Sequence, residues 1–306
     1  MFPKYSDTPF VLDKDLGRPQ LPKADAYCRT NSEGRPIVEL TPAQKFAFDL
    51  RGWLLVPGVL SEDEMGPMRE HIEQLHTNPD SIPEKDRSAI GGPCASLTDH
   101  PVLVGFMNEF VYNPFTDGNK SGAIGSQNCY GFRLDSPNSQ YRPANEESPE
   151  VPNKGKFVPH NGSGMMRLPG DHHTYHAFPG QAKSILTRAV WELNPVKKGM
   201  GGTLFVSGSH KSAFPTPEEA ITDMNSPFWD TYDCPAGSVL FFSEAVTHSP
   251  SVWTNADNPR VAVFNLYNIV GSKWSEWEPH PDLLKEMPAQ RQTLFRPVYV
   301  NRNVVA

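Results

Sequence analysis

The chain has 306 residues, 38% of them hydrophobic, and its formal net charge of −7 comes without any cluster of Lys and Arg, which argues against nucleic acid as the main partner. No stretch approaches the roughly 18 uninterrupted apolar residues of a membrane span, and residues 1–10 lack the apolar run of a signal peptide, so we expect a cytoplasmic protein that does not bind membranes. The four cysteines are scattered without CxxC spacing, which predicts reduced thiols rather than a disulfide framework or a zinc–cysteine site.

The first part of the chain is predicted to be an irregular start followed by helices. Residues 1–40 are rich in proline and charge and show no period, which predicts an extended arm ahead of a single domain over residues 41–306. Ser61 and Glu64 have the spacing of a capping box, in which each side chain satisfies a free backbone N–H group at a helix start. The elements predicted here are helices after Thr41 and Ser61, a strand at 53–56 between them, and a helix at 101–112.

The second part of the chain is predicted to consist of short strands. Residues 185–193 alternate, with Thr187, Ala189 and Trp191 on one face and Arg188 on the other. The other predicted strands are 130–134, followed by a proline-rich loop to about residue 155, and 202–206, 237–242 and 261–267. Helices followed by many short strands predict a mainly β domain with flanking helices, arranged as a double-stranded β-helix, the cupin-like jelly roll.

Two histidines and an arginine are the most informative residues. His248 ends the apolar stretch that begins at Gly237, and Arg260 follows twelve positions later, immediately before a predicted strand. Iron(II) that activates oxygen is commonly held by two histidines and one carboxylate on one face, which leaves the opposite face open. An arginine on a neighbouring strand can bind the far carboxylate of a keto acid through two parallel hydrogen bonds. His160 is the candidate for the second imidazole.

The segments around these residues resemble the phytanoyl-CoA dioxygenase family of non-haem iron(II), 2-oxoglutarate-dependent enzymes. Residues 191–194 (WELN) lead to 201–211 (GGTLFVSGSHK), which looks like the family's tryptophan-bearing strand, Gly-rich turn and GSHK signature. Pro159-His160 looks like the family's first metal-binding histidine. The resemblance covers most of residues 45–270.

The resemblance implies a set of roles for individual residues. His160 and His248 would bind Fe(II), and Arg260 would bind the distal carboxylate of 2-oxoglutarate, with Trp191 and Ser251 lining the co-substrate pocket. O₂ and a small-molecule substrate would complete the reaction, a hydroxylation-type oxidation of an unactivated C–H bond that releases succinate and CO₂. His210, in the GSHK turn, is expected to be structural.

The chain departs from the family at the metal-binding carboxylate. The usual His-x-Asp motif reads His160-Asn161-Gly162 here, so glycine stands where aspartate is expected. Three interpretations compete. Chloride or another halide beside Gly162 would make the enzyme a halogenase; water or a carboxylate from elsewhere would leave it an oxygenase that hydroxylates; and loss of iron would leave a non-catalytic β-sandwich that binds a ligand. Hydroxylation is the preferred interpretation.

A second cluster of polar residues begins at Asp171. If this stretch is extended, Asp171 and His173 point to the same side and could supply a carboxylate and an imidazole as alternative metal ligands. The preferred interpretation is a polar lid or a loop that contacts the substrate. The predicted substrate-binding candidates are His173, His176 and Arg188.

Overall fold

A computed structural model describes residues 28–112, 129–143, 156–160, 173–178 and 180–298 of the chain. Gly162 and Asp171, both named above, lie outside these described residues, as do residues 1–27 of the predicted arm. Within the described ranges, no helix is long and apolar enough to cross a membrane.

Three helices precede most of the strands, and two of them begin at the predicted caps. The Thr41 and Ser61 hydroxyls each accept a hydrogen bond from the backbone N–H three residues later, and both capping boxes are complete. Met65, Met68 and Ile72 then face the core from one side of the second helix. The helices are α1 (Pro42–Arg51), α2 (Glu62–Thr77), α3 (Pro101–Phe110), α4 (Glu218–Thr222), α5 (Pro281–Glu286) and α6 (Ala289–Gln292).

Within the described parts of the chain, the strands form one large antiparallel sheet and two small pairs. They are β1 (Trp53–Val56), β2 (Phe132–Arg142), β3 (Tyr175–Phe178), β4 (Gln181–Ser184), β5 (Thr187–Glu192), β6 (Thr203–Val206), β7 (Ser238–Ser243), β8 (Thr247–Pro250) and β9 (Arg260–Ile269). The large sheet has the order β1-β7-β5-β9-β2, while β3 pairs with β4 and β6 pairs with β8.

The large sheet has two buried faces. Ala189 and Trp191 of β5 belong to the core beneath the helices, where Phe106 of α3 stacks on Phe241 of β7 with ring centroids 4.1 Å apart. Val190, between them in sequence, belongs to a separate apolar cluster on the opposite face. The helices therefore cover one face, and the other face is buried by the rest of the β structure.

The second face packs against the β6–β8 pair. Phe205 of β6 stacks on Trp53 at 5.2 Å and meets the ring of Phe242 at 5.2 Å, so side chains of the two sheets interdigitate. A backbone bridge between His160 and His248 adds a further chain segment to the β8 edge. We call the space between these two sheets the interior.

One predicted loop is a strand. Residues 135–142, expected to begin the proline-rich loop, continue β2 to Arg142 and pair with β9. Proline has no backbone N–H group to donate. Pro137 is tolerated because β2 is an edge strand, and one side of an edge strand pairs with no other strand. The register of the β2–β9 pairing shifts between Leu134 and Ser136, and such an irregularity changes the direction of the strand and of the side chains that follow. As a result, Gln140 and Arg142 become part of the sheet.

Residues 28–40 lie against the domain. Val38 donates a backbone hydrogen bond to Pro101 O (3.3 Å), and the chain crosses α3 so closely that a Cβ atom on Gly105 would lie 1.8 Å from Val38 O. All four cysteines are buried as thiols, as predicted.

The close crossing at Gly105 generates a stability prediction. Gly105→Ala should lower the free energy of unfolding by about 1–3 kcal/mol, because the added methyl group overlaps a backbone oxygen and forces the crossing apart. Gly271→Ala is the matched control, since no heavy atom lies within 4 Å of its added Cβ. Urea unfolding of both variants measures the difference, and equal stabilities would contradict the prediction.

Candidate metal and co-substrate site

His160 and His248 lie side by side in the structure. Each donates its backbone N–H to the carbonyl of the other, at 3.0 and 3.1 Å, and the imidazole ring centroids are 4.2 Å apart. His248 is buried on β8, whereas His160 is exposed. The antiparallel bridge is what brings these two residues, far apart in sequence, to one place.

Both imidazoles make the same kind of hydrogen bond through Nδ1. Nδ1 of His160 lies 2.8 Å from Val158 O, and Nδ1 of His248 lies 2.9 Å from Val246 O. Since a carbonyl oxygen only accepts, Nδ1 donates in each ring, and the lone pair of the neutral ring is on Nε2. Burial lowers the pKa of His248 to about 4, with the charge of His160 acting in the same direction. His248 is therefore neutral at pH 7, the form that binds metals.

Sequence reasoning did not identify Glu244, which lies next to this pair. Its Oε2 is 3.6 Å from His248 Nε2, and its Oε1 accepts a 2.6 Å hydrogen bond from Arg188 Nε. Burial raises the pKa of this carboxyl, but Arg188 and His248 lower it more, to about 2. A glutamate four residues before His248, inside an otherwise buried apolar stretch, was the signal in the sequence.

The metal ligands that a complete site needs are only partly assembled. Among the side chains that the structure describes, no three from His, Cys, Asp and Glu are grouped closely enough to be a finished metal site. Two Nε2 lone pairs and one nearby carboxylate are what the described residues offer. This donor set fits iron(II), for which imidazole and carboxylate ligands are common.

Arg260 lies at another part of the interior and is already ion-paired. Its Nη2 and Nε contact the two carboxylate oxygens of Glu192 at 2.5 and 3.3 Å, and the Tyr232 hydroxyl donates to the same carboxylate at 2.6 Å. Burial alone would lower the pKa of Arg260, but Glu192 and Tyr232 raise it overall. The Arg260 guanidinium is 5.5 Å from the ring centroid of Phe264, which belongs to the interior apolar cluster.

Arg142 adds a second buried guanidinium that the sequence did not point to. It pairs in register with Arg260, and its Nη1 donates to Ser251 O at 3.1 Å. Burial, followed by the charge of Arg260, lowers the pKa of Arg142 to about 10. Among the residues that the structure describes, these two arginines and the carboxylate of Glu192 leave one positive charge in excess, which suits a carboxylate of a bound keto acid.

Ser251 and His210 have structural contacts. The Ser251 hydroxyl donates to Gly202 O at 3.1 Å, which places this predicted co-substrate residue beside Arg142. His210 Nε2 lies 3.0 Å from Asp49 O, and its ring meets Tyr175 edge-on. His210 thus hydrogen-bonds backbone, as expected for this turn.

Trp191 is not where the resemblance implied. It lies on the helix-facing side of β5, fully buried, with its ring 5.2 Å from that of His100. Because side chains alternate along a strand, the interior position belongs to its neighbour Glu192, which binds Arg260. The structure therefore places Trp191 on the side of β5 opposite to the one that the resemblance implied, and Glu192 beside Arg260.

The three predicted substrate contacts are dispersed. His173 meets Trp274 edge-on at 4.6 Å, and His176 is exposed on β3. Tyr175, between them, packs towards Phe48 of α1, so this hairpin lies against the helical layer. Arg188 alone lies beside the histidine pair, through Glu244.

The chain resembles known proteins in its sequence profile and in its fold. Residues 48–260 match the sequence profile of the family described as Phytanoyl-CoA dioxygenase (PhyH). A comparison with curated protein sequences finds no significant match.

Two sets of solved structures are similar in fold. HygX from Streptomyces hygroscopicus, in a crystal structure with iron bound, has 21% identity and a TM-score of 0.57, covering 80% of this chain and 94% of HygX. EctD from S. alaskensis, with 2-oxoglutarate and 5-hydroxyectoine, has 17% identity and a TM-score of 0.51, covering 78% of this chain and 79% of EctD. The predicted cupin-like jelly roll is confirmed.

The buried ion pair generates a second stability prediction. Glu192→Gln should lower the free energy of unfolding by about 3 kcal/mol or more, because it leaves the Arg260 guanidinium buried without a countercharge. Glu62→Gln, which removes an exposed partner of Arg69, is the control and should leave stability almost unchanged. Urea unfolding at pH 7 measures both, and a small loss for Glu192→Gln would disprove the pairing.

Proposed function

This chain belongs to the phytanoyl-CoA dioxygenase family, and on that premise we propose that it is an iron(II)- and 2-oxoglutarate-dependent oxygenase that hydroxylates a C–H bond of a small molecule. The single observation that carries the proposal is the pair of neighbouring imidazoles, each with Nδ1 hydrogen-bonded to a carbonyl two residues earlier and Nε2 left to bind metal.

His160 and His248 would hold the iron. When bound, iron(II) with 2-oxoglutarate and O₂ supplies the oxidant for the C–H bond, while 2-oxoglutarate is converted to succinate and CO₂. The carbonyls of Val158 and Val246 keep both rings in the tautomer that leaves Nε2 unprotonated. The burial of His248 keeps it neutral, so the metal does not have to displace a proton from that ring at pH 7.

Arg260 and Arg142 would bind the distal carboxylate of 2-oxoglutarate. Their excess positive charge over Glu192 supports this role, because a buried cation is stabilised by an anionic ligand. The contacts with Glu192 and Tyr232 hold Arg260 in its orientation. Its Nη1 donates a hydrogen bond to the half-buried side chain of Gln140 at 3.3 Å.

Hydroxylation is favoured over halogenation by the position of Glu244. A halide at the metal needs a coordination position that no protein carboxylate takes, and Glu244 Oε2 lies 3.6 Å from His248 Nε2, next to the proposed ion. A small-molecule substrate is supported by the similar proteins, since HygX was crystallised with hygromycin B and EctD with 5-hydroxyectoine.

The metal assignment predicts the effect of removing either imidazole. His160→Ala and His248→Ala should each abolish iron- and oxygen-dependent conversion of 2-oxoglutarate to succinate, because each removes an imidazole ligand that the ion needs. His76→Ala, an exposed histidine of α2, is the control and should retain the wild-type rate. Succinate is quantified by chromatography, and unchanged conversion in both site variants would refute the assignment.

The proposed hydroxylation predicts that halide does not bind to the metal. Protein loaded anaerobically with Co(II) and 2-oxoglutarate should show the same visible absorption spectrum with and without sodium bromide, because the Glu244 carboxylate lies beside His248, where a halide would have to bind. A saturable, bromide-dependent change in the Co(II) bands would instead support the halogenase.

A further inference from the structure

The chain lacks the carboxylate that its family places two residues after the first histidine, and the structure offers a replacement from another element. We propose that Glu244 is the carboxylate ligand of the metal held by His160 and His248, with Arg188 as its positioning residue. This inference rests on the proposed function, since it completes the same metal site.

The distance between Glu244 and His248 suits a shared ion. Bonds from nitrogen and oxygen ligands to divalent transition metals are about 2.0–2.2 Å long, so two ligand atoms on one ion lie no more than about 4.3 Å apart. Glu244 Oε2 and His248 Nε2 are 3.6 Å apart and face each other. An ion between them would replace a contact that is too long for a hydrogen bond.

The two carboxylate oxygens of Glu244 have different neighbours. Oε1 accepts from Arg188 Nε at 2.6 Å, while Oε2 is the oxygen turned towards His248. A carboxylate that binds metal through one oxygen is commonly hydrogen-bonded at the other, which fixes its orientation.

The backbone of the β7–β8 turn keeps Glu244 in place. Its N–H donates to Leu186 O at 2.9 Å, and Ser243 caps the turn by accepting from Ala245 N at 3.2 Å and Val246 N at 3.0 Å. Four residues after Glu244, His248 is fixed by its sheet partners. The two groups therefore have a defined separation set by one tight turn.

His160 is the ligand that has to adjust. The three side chains are not a finished metal site as they stand, but His160 is exposed, so its ring can turn towards the other two. The His160 ring already lies beside that of His248, with the ring centroids 4.2 Å apart. A bound ion would draw the exposed ring inwards, while Glu244 and His248 keep their places.

The test measures metal binding without turnover. Apo protein is titrated anaerobically with Mn(II), and free Mn(II) is followed by electron paramagnetic resonance. Glu244→Gln, which keeps the shape but removes the charge, should raise the Kd for Mn(II) at least tenfold, and Arg188→Gln should raise it about 10–100-fold, as the loss of an orienting partner does. Glu109→Gln, a carboxylate of α3 paired with Lys45, is the control with unchanged Kd.

The outcomes separate the two proposals. If Glu244→Gln binds Mn(II) with the wild-type Kd while His248→Ala has lost binding, Glu244 is not a ligand and the two-histidine site stands. If His160→Ala and His248→Ala also bind like the wild type, the metal assignment itself is wrong. Weakening in Glu244→Gln and both histidine variants, with the control unchanged, is the expected result.

A second measurement avoids any folding defect in the variants. Wild-type protein labelled with ¹³C at the glutamate side-chain carboxyl is loaded with Mn(II) alone and studied by electron–nuclear double resonance. A directly bound glutamate carboxylate should give a resolved ¹³C hyperfine coupling. A spectrum without that coupling, from protein that retains Mn(II), would overturn the proposal.

Discussion

The alternation of side chains along β5, β7 and β9 is the constraint on which the rest of the structure depends. These central strands are buried on both faces, so each successive residue must satisfy one of two different environments. Ala189 and Trp191 fill the apolar core beneath the helices, whereas Arg188 and Glu192 point into the interior, where each contacts an oppositely charged group. A shift of one residue in register would exchange apolar and charged side chains across the whole sheet.

The elements that could be predicted are those whose signals are local. The capping boxes at Thr41 and Ser61 and the alternation of β5 each depend on residues that are close together in sequence. The structure contains both capped helices and the strand. The pairing of His160 with His248 followed from a motif resemblance, because no local pattern links residues so distant in sequence. The resemblance also gave Trp191 the wrong side of its strand, although the alternation already assigned Glu192 to the face of Arg188.

What could not be predicted depends on pairing between distant strands. Arg142 was hidden because Pro137 suggests a loop, and only an edge position next to β9 makes a strand acceptable there. Glu244 was missed because its position beside His248 depends on the β7–β8 turn and on a contact with Arg188, which lies on another strand. Buried ion pairs such as these contribute little net stability compared with apolar residues of similar volume. Their presence in the interior is better explained by chemistry than by folding.

The backbone bridge between His160 and His248 also couples the docking of segment 156–160 to metal binding. The segment 156–160 is joined to β8 by the paired backbone bonds of the two histidines and by a bond from Val158 N to Ser249 Oγ. An ion bound by both rings would cross-link this segment to the sheet, so ion binding and docking of the segment would favour each other. Resistance to heat and to proteases at this edge would then report how much of the protein carries its metal.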